Sequence, residues 1–135
     1  MTEPTVVLDV SYALAILMHD ESPPGSADAV LQAHLIAPAI WPLEMANAMI
    51  SNLRRKRLTQ PQVTRLFEVI GQLDVEVFAT PPANASHWYT FSTRHGLTPY
   101  DAQYIDLALQ HRCAIATCDA AVAQAATQLG LTVLN

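Results

Sequence analysis

Short β-branched runs alternate with helical patterns from one end of the chain to the other. Val6-Val7-Leu8 is such a run, closed by Asp9, and residues 11–18 follow at helical spacing. Pro23-Pro24-Gly25 marks a loop, residues 26–32 a short helix, and residues 35–40 an extended segment ended by Trp41-Pro42. Pro42 suits the first turn of a helix whose apolar face is Leu43, Met45, Ala46, Met49, Ile50 and Leu53. The basic end of that helix complements its C-terminal dipole. Thr59-Gln60-Pro61-Gln62 is a capping-box pattern and opens a helix through Leu73. Asp74-Val75-Glu76-Val77-Phe78 alternates as a half-buried strand does, and a helix over residues 85–93 stops at His95-Gly96. Thr98 opens an apolar helix through Ala102, Ile105, Leu107, Ala108 and Leu109, and residues 114–117 read as a buried strand. Asp119 starts a last helix, Gly130 ends it, and residues 132–134 close the chain as a strand.

Strands separated by helices cannot pair through tight hairpins, so the connections are crossovers and the sheet is mainly parallel. The expected fold class is α/β, a three-layer α/β/α sandwich, with residues 1–135 as one domain and no repeat or linker dividing it. Half of the 135 residues are apolar, enough for a core without disulfide or metal staples. No apolar run approaches the roughly 18 residues that a spanning helix needs, so no membrane is expected. Met1-Thr2-Glu3-Pro4 carries no basic leader pattern, and a cytoplasmic location is expected. Cys113 and Cys118 are read as buried free thiols, and a zinc site from these two with His111 lacks a nearby fourth ligand. His19, His34, His87 and His95 are scattered.

In parallel sheets chemistry gathers at the carboxyl edge, where strands end and helices begin. Four acids occupy such junctions, and each has a bland reading. Asp9 suits an N-cap for the helix behind it, and Glu44 suits a first-turn acid that complements a dipole. Asp101 stands three residues after Thr98 and can complete a capping box, its carboxylate accepting from the Thr98 N–H. Asp119 suits an N-cap for the last helix.

Four independent caps that converge on one edge are a less economical account than one site. Carboxylates packed together raise each other's pKa values and need cations to stay ionised near neutrality. No Lys or Arg adjoins any of the four in sequence. The donors are hard oxygens, with Ser11, Asn47 and Thr117 as polar support, a set that favours Mg2+, with Mn2+ second, over zinc. Such a centre acidifies water and stabilises charge on a phosphoryl group, so phosphodiester hydrolysis is the reaction class. The net charge of −5 opposes nucleic-acid binding, but with four acids neutralised by metal eight remain against seven bases. Four of those bases are contiguous, Arg54-Arg55-Lys56-Arg57, either a solvated helix end or an RNA contact. Asp106, about 140° around the helix from Asp101, reads as peripheral. Tyr12, Tyr100 and Tyr104 can stack on bases, although core or interface packing is the default.

Val7-Leu8-Asp9-Val10-Ser11 with Ala13-Leu14, then Glu44-Met45-Ala46-Asn47-Ala48, then Leu97-Thr98-Pro99-Tyr100-Asp101-Ala102, then Thr117-Cys118-Asp119 form an ordered set that resembles the PIN domain of VapC toxins. The resemblance runs from Val6 to Val133, with no family motif over residues 74–92. It implies that Asp9, Glu44, Asp101 and Asp119 form the metal site, with Ser11, Asn47 and Thr117 supporting it. It further implies a Mg2+-dependent endoribonuclease, a homodimer, and a VapB-like antitoxin whose tail covers the acidic groove. Two rival readings stand beside it. A phosphoryl-accepting domain with Asp9 as nucleophile needs a nearby lysine, and Lys56 sits far from any strand end. A PIN-fold module that binds RNA or protein without cutting would be favoured by loss of one of the acids, and all four are present.

Overall fold

The computed structural model describes residues 3–18 and 20–135. Met1, Thr2 and His19, which enter the readings of the N-terminus and of the scattered histidines, lie outside the described residues. Among the described residues five strands, β1 (Thr5–Leu8), β2 (His34–Pro38), β3 (Glu76–Phe78), β4 (Ala114–Ala116) and β5 (Val133–Leu134), form one sheet in the order β3-β2-β1-β4-β5. Every pairing is parallel. The helices that link them are α1 (Val10–Leu17), α2 (Ala27–Leu31), α3 (Trp41–Arg54), α4 (Gln60–Gln72), α5 (Ala85–His95), α6 (Pro99–His111) and α7 (Ala120–Gln128). The α/β class expected from the sequence is the observed one.

The sheet is built outward from its first strand. Val6, Val7 and Leu8 are all buried, and Val7 and Leu8 pair with Ile115 and Ala116 of β4 while Val6 and Val7 pair with Leu35 and Ile36 of β2. A strand covered on both faces reads as a continuous apolar run, which is why β1, β2 and β4 show no polar alternation. Helix α6 packs across β1, β2 and β4 through Ala102, Tyr104, Ile105 and Ala108, none of which reaches solvent. The chain runs from β1 to β2 and β3 on one side, then crosses back to β4 and β5 on the other. The strand order therefore reverses beside β1, where a parallel sheet opens a crevice at its carboxyl edge.

Local expectations fared unevenly. The capping box at Thr59 forms in full: Thr59 N–H donates to Gln62 Oε1 at 2.8 Å, and the Gln62 N–H donates back to Thr59 Oγ1. Gly96 and Gly130 take left-handed backbone at helix ends, with φ of 66° and 79°. The expected apolar face of α3 splits, because Met45 and Met49 are buried whereas Leu43, Ile50 and Leu53 are exposed. The buried stripe runs instead through Trp41, Met45, Met49 and Asn52, the Asn52 amide being satisfied by Ala48 O. Strand β3 begins at Glu76, Asp74 turns at φ 53°, and Val77 is exposed, as an edge strand with one neighbour allows. Both cysteines are free, but Cys113 is half-buried and Cys118 exposed, because they flank β4 rather than lie in it. No described helix is long and apolar enough to cross a membrane.

Ile36, fully buried on β2 between β1 and β3, reports on this core. Ile36→Ala is expected to cost about 2 to 5 kcal/mol in urea unfolding; a loss under about 1 kcal/mol would contradict the packing described.

Candidate functional site

Asp9 ends β1 and, although it holds the N-cap position of α1, its side chain makes no cap hydrogen bond there. Its Oδ2 accepts instead from Thr117 Oγ1 at 2.7 Å and Ser11 Oγ at 2.9 Å. Both hydroxyls are fixed in turn: Asp119 N–H donates to Thr117 Oγ1 at 3.0 Å, and Cys118 N–H to Ser11 Oγ at 3.0 Å. The turn after β4 thus clasps the end of β1, and with Asp9 only 6% exposed this network is what makes its burial tolerable. Burial raises its pKa, the Thr117 and Ser11 hydroxyls oppose that, and the charge of Asp119 adds to it.

Asp119 caps α7, its Oδ1 accepting from the N–H groups of Ala121 at 2.9 Å and Val122 at 3.1 Å. Its bland reading holds, and it also neighbours Asp9. Glu44 lies in the first turn of α3, half-buried, and its Oε1 accepts from the Tyr104 hydroxyl at 2.5 Å. Burial raises the Glu44 pKa, the Tyr104 hydrogen bond opposes it, and the charge of Asp9 adds to it. Asp101, at the start of α6, donates its N–H to Thr98 Oγ1 at 3.1 Å. The reciprocal bond of a capping box, from the Thr98 N–H to the carboxylate, does not form among the described residues, so the box expected from the sequence is half made. The Asp101 carboxyl is pushed up to about 6, by burial first and then by the charges of Asp119, Asp9 and Glu44, with the Thr98 side chain opposing them.

The fold therefore brings four acids, from four distant stretches of chain, into one mutually repelling group at the carboxyl edge. Among the described residues, no lysine or arginine contributes to the electrostatics of Asp9, Glu44 or Asp101. Nor do any three His, Cys, Asp or Glu side chains among the described residues converge closely enough to grip one ion as they stand. Asp9, Glu44 and Asp119 are each steadied through one oxygen by a hydroxyl or backbone donor, and the Val10 backbone N–H further supports the Asp9 carboxylate. All-oxygen donors under mutual repulsion fit a hard divalent ion.

The remaining expected residues separate. Ser11 and Thr117 hold Asp9 directly, whereas Asn47 is exposed and makes no side-chain hydrogen bond among the described residues. It lines a shallow cavity of about 230 Å3 with Ile40, Leu43, Glu44 and Tyr100. Asp106 is bonded to Gln110 Nε2 at 2.7 Å and influenced by His87, not by the four acids. Arg54, Arg55 and Lys56 are exposed. Arg57 grips Asp20 at 3.0 Å, reaches Glu21 at 3.7 Å and donates to Asn52 Oδ1 at 2.9 Å. Ten residues of helix put Arg54 about 15 Å along α3 from Glu44. Of the three tyrosines, Tyr12 and Tyr104 are wholly buried and Tyr100 is exposed. The tie from Tyr104 to Glu44 escaped the sequence reading; its only trace there is a polar tip three residues beyond Asp101 on an otherwise apolar helix face.

A search of the curated proteins returns no match. Among solved structures, the fold is similar to PAE2754 from Pyrobaculum aerophilum, with a TM-score of 0.70 at 20% identity over 96% of this chain and 83% of that one. It is also similar to FitAcB from Neisseria gonorrhoeae, with a TM-score of 0.64 at 18% identity over 96% of both chains. The sequence itself matches the PIN domain model over residues 6–128. That span runs from the first strand through the last helix and encloses all four acids, and the chain belongs to the PIN domain family.

Proposed function

We propose that this chain is a single-domain, Mg2+-dependent endoribonuclease, a toxin of the VapC type that a VapB-like antitoxin restrains. The observation that carries the reading is the group of four acids, Asp9, Glu44, Asp101 and Asp119, gathered at one sheet edge with no cationic side chain paired to them among the described residues. PIN domains are generally metal-dependent nucleases, which supports the reaction class. Asp9, Glu44, Asp101 and Asp119 would hold the ion, Mg2+ by preference or Mn2+. When bound, a hard divalent cation acidifies water and neutralises charge on phosphoryl oxygens. Ser11 and Thr117 fix the orientation of the Asp9 carboxylate through its Oδ2. The exposed Arg54, Arg55 and Lys56 would follow the RNA backbone away from the cut, whereas Arg57 is committed to Asp20 and Asn52. The homodimer and the antitoxin rest on the likeness to VapC toxins drawn from the sequence motifs.

Incubating the purified protein with total RNA in Mg2+, Mn2+ or EDTA and sequencing the ends tests the reading. Discrete metal-dependent cuts are expected, reduced at least about 100-fold in Asp9→Asn and Asp101→Asn; folded, metal-supplied protein that never cuts would favour a binding module instead. For the basic run, Arg54→Ala with Arg55→Ala is expected to weaken RNA binding across sequences. The salt slope should shrink by about 0.7 for each phosphate that the protein no longer neutralises. An unchanged slope in a filter-binding titration would remove the run from the interface.

The acids also set a pH dependence. With Asp101 raised from 3.8 to about 6, the folded protein holds a proton between those values that the unfolded chain has released. Stability of metal-free protein therefore falls as pH rises through that window and stays lower above it. Metal-free protein is expected to melt higher at about pH 5 than at about pH 7.5, and Asp101→Asn to flatten the difference. Added Mg2+ is expected to restore stability at the higher pH by binding the folded state. Melting curves for wild type and Asp101→Asn that keep the same pH dependence would contradict the electrostatic coupling.

A further inference from the structure

The geometry points to Tyr104 as a positioning residue that sets which oxygen of Glu44 faces the cation. Tyr104 lies three residues beyond Asp101, so α6 presents both along one face. Its ring is fully buried in the core, and its hydroxyl reaches 60 residues back along the chain to Glu44 Oε1. An ionised carboxylate only accepts, so the phenol donates and Oε1 is occupied. Oε2 is the oxygen left for an ion. Glu44 sits on a helix rather than at a strand end, and without this bond its side chain would sample several rotamers. Asp9 shows the same device, with Oδ2 held by the Ser11 and Thr117 hydroxyls. Asp119 shows it with Oδ1 held by two backbone N–H groups. Tyr104 completes the set by supplying from the core what hydroxyls and backbone donors supply elsewhere.

Outer-shell partners of this kind orient a ligand and keep it basic, and losing one typically costs 10- to 100-fold in metal affinity or activity. The role rests on the metal-centre reading proposed above. Mn2+ uptake by the full chain, followed by the electron paramagnetic resonance of free ion, tests it without reference to activity. Tyr104→Phe removes one oxygen atom and is expected to raise the Mn2+ dissociation constant about 10-fold or more. RNA cleavage in the variant should recover as metal is increased. A folded variant with wild-type Mn2+ affinity overturns the Tyr104 role while the metal centre stands, and wild-type protein that takes up no Mn2+ overturns both. Should Tyr104→Phe fail to fold, wild-type protein labelled with 3-fluorotyrosine gives a second reading. Its Tyr104 fluorine resonance, assigned by elimination with Tyr12→Phe, Tyr89→Phe and Tyr100→Phe, is expected to shift on addition of Mg2+. An unmoved Tyr104 resonance overturns the role.

Discussion

Asp9 is a carboxylate buried at the end of the central strand, and the local structure is organised to make that placement bearable. An unpaired buried charge is costly, and no cationic side chain among the described residues is offered to it. Two hydroxyls are recruited instead, and each is held by an N–H of the turn after β4. The network that solvates Asp9 is therefore also the seam between β1 and β4. It fixes the distance from Asp9 to Asp119 and, through α7, the direction in which the last helix leaves.

The same logic extends outward with decreasing burial. Asp119 finds its donors in the first turn of α7, and Glu44 finds a phenol on α6. Asp101 has the weakest local support of the group and feels the accumulated repulsion of three like charges. A cluster so arranged is electrostatically incomplete in the protein alone. The repulsion is concentrated at the start of α6, where a counter-charge arriving from outside can relieve it. Fold and site are thus linked at the level of individual oxygens.

Much of this is legible in the sequence because strands buried on both faces leave continuous apolar runs, and because Gly96, Gly130 and the Thr59 box carry backbone requirements of their own. The four acids are legible by their places in the pattern: Asp9 and Asp119 stand where an apolar strand gives way to a helix, and Glu44 and Asp101 stand in the first turns of helices that Pro42 and Thr98 announce. What stays hidden depends on tertiary partners. Helical spacing alone cannot tell which of two apolar stripes on α3 turns into the core, so it points Leu43 and Ile50 inward and gives no sign that Asn52 is buried. Asn47 matches a motif but is tied to none of the four acids, since a motif position does not fix a rotamer. Tyr104 reads as packing, and it is packing; its hydroxyl becomes informative only once the fold brings it to Glu44.

The strand order has a consequence for synthesis. β1 is made before the other strands yet occupies the centre of the sheet, and half of its hydrogen-bonding edge is covered by β4, more than a hundred residues later. Until that segment emerges, Leu8 and Asp9 have neither their neighbour strand nor the Thr117 hydroxyl, and Asp119 has not been made. Before then a nascent chain carries an unpaired central edge and an unassembled acidic edge. An activity that needs all four acids therefore cannot precede the arrival of β4 and the turn behind it at the open side of β1.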